Sequence, residues 1–86
     1  MAYNVIYKSS IKRDLKKLSK AEARRVLDQI EEELSGHAED YSVLKGRFAG
    51  LRKYRVGDYR VIHAILGEEV LVLRIGHRKD VYRKEI

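Results

Sequence analysis

The chain lacks cysteine, proline and tryptophan altogether and carries one phenylalanine. Without cysteine there is neither a disulfide framework nor a thiolate metal site, and such a composition fits a reducing cytoplasm. Without proline, repeats or low-complexity tracts, nothing marks a linker, so residues 1–86 are expected to form a single domain. No apolar run approaches the roughly 18–20 residues that cross a bilayer, and the N-terminus has no signal-like apolar stretch, so no membrane partner is expected. His37, His63 and His77 have no metal-ligand spacing, and neither a metal nor any other cofactor is expected. A glycine-rich phosphate loop and a serine nucleophile elbow are also missing.

What the chain does have is 44% hydrophobic residues, enough for a core, and a net charge of +6 that is unevenly placed. Residues 1–42 balance eight Lys and Arg with eight Asp and Glu, whereas residues 43–86 carry eleven against five. All the excess positive charge therefore lies in the second half, in runs such as LRKYRVGDYR and RIGHRKDVYR. A basic face on a rigid scaffold is the electrostatic footprint of a protein that holds phosphates.

Period and punctuation predict the elements. Tyr3, Val5 and Tyr7 alternate with polar residues as a short strand. Ser9 or Ser10 is placed to cap a brief helix whose Ile11, Leu15 and Leu18 share one face. Ser19 followed by Glu22 has capping-box spacing, and Ala23, Val26 or Leu27, Ile30 and Leu34 then form a buried stripe up to Gly36, a suitable left-handed stop. Period two follows: Leu51 to Val56, Tyr59 to Leu66 and Val70 to Ile75, joined at Gly57-Asp58 and at Gly67-Glu68-Glu69. The predicted fold is α+β. An N-terminal strand and a helical hairpin precede a three-stranded antiparallel meander, in a single sheet with both helices on one face.

Alternation assigns the basic residues to faces. Arg52, Tyr54 and Val56 point toward the core side, leaving Lys53 and Arg55 outward, with Arg60 across the turn and Arg78 and Tyr82 just past the last strand. Guanidinium forks suit phosphate and a tyrosine ring suits an unpaired base. His77 is an alternative proton carrier beside Arg78, imidazole being the side chain that titrates nearest neutrality.

The segments LKGRFAGLRKYRVGDYRVIHAI and LRIGHRKDVYR, with the helical hairpin before them, resemble the RelE branch of the RelE/ParE toxin superfamily over nearly the whole chain. The resemblance implies a ribosome-dependent endoribonuclease that cuts mRNA in the ribosomal A site and is silenced by a cognate antitoxin. It matches Arg60 to the arginine at the scissile phosphate, Arg78 to the one that stabilises the transition state, and Tyr82 to the tyrosine that stacks on a base. Lys53 matches one of two lysines that help activate the 2′-hydroxyl; the second falls at Leu51, which Arg52 replaces only if the strand slips or bulges. Lys45 occupies the place of a supporting basic residue. The alternatives are a ParE-like inhibitor of DNA gyrase without nuclease chemistry and a general basic RNA-binding module.

Overall fold

The computed structural model describes residues 3–41, 43–44 and 50–77. The elements are β1 (Asn4–Tyr7), α1 (Ile11–Leu15), α2 (Lys20–His37) with a short 3₁₀ turn at Ala38–Asp40, β2 (Arg52–Val56), β3 (Tyr59–Leu66) and β4 (Glu69–His77). The order across the sheet is β1-β4-β3-β2, with the meander antiparallel and β1 added in parallel to β4. A parallel neighbour requires a crossover connection, and the helical part of the chain supplies one. The predicted α+β architecture is thus the one observed.

Local chemistry explains most boundaries. Ser19 is extended and its hydroxyl oxygen accepts from the Glu22 backbone N–H at 3.1 Å, which starts α2. Gly57 and Gly67, with φ of 59° and 63°, take the first position of each two-residue hairpin turn, where a side chain would be strained. Two expectations fail. Ser10 stands before α1 with helical backbone angles and makes no side-chain cap, because α1 begins in a continuous turn out of Lys8 and Ser9. Gly36 does not stop α2 and has no left-handed conformation. The helix runs on through His37 because Ala38 is fully buried in the core, and that burial outweighs the preference for a glycine stop.

Val26, Ile30 and Leu34 on α2 meet Val56, Val61, Val70, Val72 and Ile75 from the sheet. Each such side chain contributes about 1.5–3 kcal/mol by leaving water. On β4 the alternation is reset: Ile62 pairs with Arg74 but His63 with Val72, so Leu73 is an extra residue. This bulge lets Val70, Val72 and Ile75 all enter the core, which strict alternation would forbid.

Tyrosine hydroxyls pin α2 and the turn after it to the rest of the fold. Tyr7 donates to Glu31 at 2.8 Å, Tyr41 to Glu33 at 3.1 Å, Tyr54 to Gln29 at 3.3 Å and Tyr59 to Glu22 at 3.3 Å, while Tyr3 reaches Glu39. Glu31 and Glu33 of the acidic run therefore act as acceptors, the first for Tyr7 of β1 and the second for Tyr41 after α2. No helix among the described residues is long and apolar enough to cross a membrane.

Candidate functional site

Strand β2 lies at the sheet's edge and sorts its charges by alternation. Tyr54 and Val56 are buried toward α2. Arg52 shares that side, and its guanidinium Nη1 donates to the Glu39 carbonyl at 3.1 Å and the Tyr41 carbonyl at 2.7 Å. The pairing of β2 with β3 runs unshifted from Arg52–His63 to Val56–Tyr59, so no slip or bulge brings Arg52 to the outer face. It holds the backbone of residues 39–41 instead.

On the outer face, Arg55 stands directly opposite Arg60, and Lys53 opposite the fully buried Ile62. Like charges facing each other across an antiparallel pair are destabilising. Among the described residues no carboxylate forms an ion pair with Lys53 or Arg55; Arg55 Nε donates to the Gly57 carbonyl at 2.9 Å. Lys53, Arg55 and Arg60 line one cleft of about 380 Å³ together with Asp40, Tyr41 and Tyr54. Because β2 is an edge strand, the cleft gathers residues from both sides of it.

Neither Asp40 nor Tyr41 emerges from sequence reasoning, since both lie in a polar stretch read as a connection. The only signal is an aromatic residue in an otherwise polar segment. The Tyr41 ring packs on Tyr54 with centroids 4.7 Å apart, and its hydroxyl is pushed up to about 12 by burial and then by its hydrogen bond to Glu33. It is a neutral phenol across the physiological range. Asp40 is exposed, and His37 Nδ1 approaches its Oδ2 at 3.3 Å.

His77 lies elsewhere. Its ring meets Tyr59 edge to face at 6.1 Å, and Tyr59 in turn reaches Glu22 of α2, so His77 is on the helix side of the sheet. It lines a separate cleft with Lys17, Asp14 and Arg74. Asp14 is a polar residue that the apolar spacing of α1 hides: it is 5% exposed and accepts from Arg74 Nε at 3.1 Å and the Ile75 backbone N–H at 3.0 Å. A carboxylate on the same helix face as Ile11, Leu15 and Leu18 is the signal that marks it. His63 is fully buried, and among the described residues neither ring nitrogen has a partner at hydrogen-bond geometry. Only looser approaches to the backbone of Ala38 and Val61 remain, and burial holds its pKa below the ordinary 6.5.

Lys45, Arg78 and Tyr82 lie outside the described residues. No group of three or more potential metal ligands occurs among the described residues.

The chain matches the family model described as ParE toxin of type II toxin-antitoxin system, parDE, over residues 5–82. Comparison with curated proteins gives no match. Among solved structures it is similar to a toxin–antitoxin RelBE complex of Mycobacterium tuberculosis, at 28% identity and TM-score 0.83, covering 91% of this chain and 100% of that one. It is also similar to the archaeal RelE–RelB complex of Pyrococcus horikoshii, at 28% identity and TM-score 0.69, covering 94% and 100%. A chromosomal ParDE system of P. aeruginosa shares the fold at 14% identity and TM-score 0.68, covering 88% and 96%. A family match over nearly the whole chain, on a fold shared with both RelE and ParE structures, places this protein in the RelE/ParE superfamily: it belongs to the ParE toxin family of type II toxin–antitoxin systems.

Proposed function

We propose that this toxin is a ribosome-dependent endoribonuclease that cuts mRNA in the A site and so arrests translation. The observation that carries the reading is the cleft in which Lys53, Arg55 and Arg60 converge, with two arginines facing each other across a strand pair. Guanidinium and ammonium groups gathered in one cleft suit a polyanion such as the RNA backbone. RNA cleavage through the 2′-hydroxyl needs a proton acceptor, donors to the charge developing on phosphorus and a donor to the leaving 5′-oxygen. Lys53 takes the proton of the 2′-hydroxyl and returns it to the leaving 5′-oxygen, and Arg60 takes the second role; Arg78, Tyr82 and Lys45, outside the described residues, are assigned to the transition-state charge, a base and support. Arg55 adds a phosphate contact.

The chemistry is thin for a free ribonuclease. Leu51 stands where a second lysine is expected, Arg52 is committed to backbone carbonyls, and His77 faces the other side of the sheet. Positioning by the ribosome supplies the missing rate, since well-oriented groups reach effective molarities on the order of 10⁵ M or more. A cognate antitoxin with an acidic, amphipathic segment silences the domain by covering the basic cleft. Inhibition of DNA gyrase is the second reading, favoured by the ParE description of the matching family. Purified toxin added to a translation reaction separates the two: message cut at A-site codons, with naked RNA left intact, supports the nuclease. Uncut message together with blocked supercoiling supports the gyrase inhibitor.

A further inference from the structure

The cleft that holds the three cations also holds a carboxylate, and phosphate binding gives it no role. Asp40 lines the same 380 Å³ space as Lys53, Arg55 and Arg60, yet its Oδ2 lies 3.3 Å from Nδ1 of His37 on its own turn. It is therefore not placed to neutralise the basic residues, and an anion entering the cleft is repelled by it. A carboxylate accepts hydrogen bonds and cannot donate them. What it selects is a donor on the ligand.

Beside it, Tyr41 lines the same cleft. Its ring is held from three directions. Its hydroxyl is bonded to Glu33, its ring rests on Tyr54, and its own carbonyl is clamped by Arg52 at 2.7 Å. Arg52 Nη1 also holds the Glu39 carbonyl, so the backbone on both sides of Asp40 is tied to β2. An aromatic surface fixed in advance loses little freedom when a base settles on it.

We propose that Asp40 and Tyr41 form a base-reading subsite, in which an unpaired base of the bound RNA stacks on Tyr41 and donates its exocyclic amine to Asp40. The inference rests on the nuclease reading above and adds a preference to it. Cytosine, adenine and guanine carry such an amine, whereas uracil offers one imino N–H between two carbonyl oxygens that the carboxylate repels. The subsite therefore disfavours uracil at one codon position. Arg52 is the positioning residue, acting through the backbone of residues 39–41.

The test uses ribosomes stalled with an empty A site on messages in which each codon position is varied over the four bases, with single-turnover cleavage as the readout. The wild-type protein is expected to cut about tenfold more slowly when uracil occupies one particular position. Asp40→Asn, which presents both a donor and an acceptor, should abolish that ratio by raising the rate at uracil. Tyr41→Leu should slow cleavage of all four by at least about fivefold, and Tyr41→Phe, which keeps the ring, should restore it. A wild-type profile without discrimination against uracil, or discrimination that survives Asp40→Asn, overturns the subsite and leaves the nuclease intact. Absence of cleavage at every codon overturns the nuclease reading, and the subsite with it.

Discussion

The two sides of the sheet treat charge in opposite ways. On the side facing the helices, Arg52 bonds two carbonyl oxygens, and Tyr7, Tyr54 and Tyr59 each reach a side chain on α2. On the outer side, Arg55 is set against Arg60 and Lys53 has no carboxylate partner among the described residues. Adjacent residues of one strand thus have different employment: Arg52 builds the fold, while Lys53 is not used in it by any carboxylate among the described residues. Stability and binding separate along the alternation of β2, and single substitutions should separate them too.

The largest expected loss is on the helix side. Asp14→Ala leaves Arg74 and the Ile75 N–H without their acceptor, and removing one member of a buried pair costs about 3–5 kcal/mol. At roughly 4–8 °C per kcal/mol for a domain of this size, the melting temperature should fall steeply. Urea denaturation measures it, and a cost below about 1 kcal/mol would show that this contact is ornamental.

Next comes the outer side, where Arg60→Ala should cut A-site cleavage by roughly 10²-fold or more, as loss of a donor to a developing oxyanion does. The midpoint of unfolding should move little. Full activity in a folded Arg60→Ala protein would remove this arginine from the chemistry.

A sharper contrast sets two arginines three residues apart against each other. Arg52→Gln gives up charge-assisted bonds to Glu39 and Tyr41 and should cost about 1.5–3 kcal/mol of stability. Arg55→Gln should stay within about 0.5 kcal/mol of the wild type. Its effect should appear in RNA binding, where losing one phosphate contact lowers the salt slope by about 0.7. Equal stability losses in the two variants would erase the distinction between the faces.

The smallest effect is a dependence on pH. His63 is buried and its folded pKa lies below 6.5, so the unfolded chain takes up a proton that the folded chain resists. That contribution to stability is fully present above about pH 6.5 and is lost as the pH falls below it. Chemical denaturation at pH 7.5 and pH 5 should show the decline, and His63→Leu should flatten it. An unchanged slope in the variant would assign the decline to other groups.

Much of this division is legible in the sequence, because period two in RKYRV decides which side each residue takes before any partner is known. The same reasoning places Arg55 and Arg60 on the outer face, since the Gly57-Asp58 turn fixes their register. What stays hidden are contacts between residues far apart in the chain. Asp14 stands on the apolar face of α1 with no visible partner until β4 arrives beside it. His77 reads as a neighbour of the basic cleft until the bulge and the pairing with Tyr59 turn it to the other side. Gly36 reads as a stop because local preference cannot weigh the burial of Ala38. Asp40 and Tyr41 gain meaning only from the clamp of Arg52.

The parallel pairing of β1 with β4 also sets an order of events during synthesis. Asn4 aligns with Glu69 and Tyr7 with Val72, so β1 leaves the ribosome well before the strand it pairs with. Until β4 emerges, β1 has no neighbour in the sheet, Asp14 has no partner, and the apolar face of α2 lacks Val70, Val72 and Ile75. Contacts of such long sequence separation slow folding. At about 5–20 residues per second of elongation, the chain spends several seconds as an incomplete sheet. The toxin is thereby unable to assemble its own framework until β4 has been made.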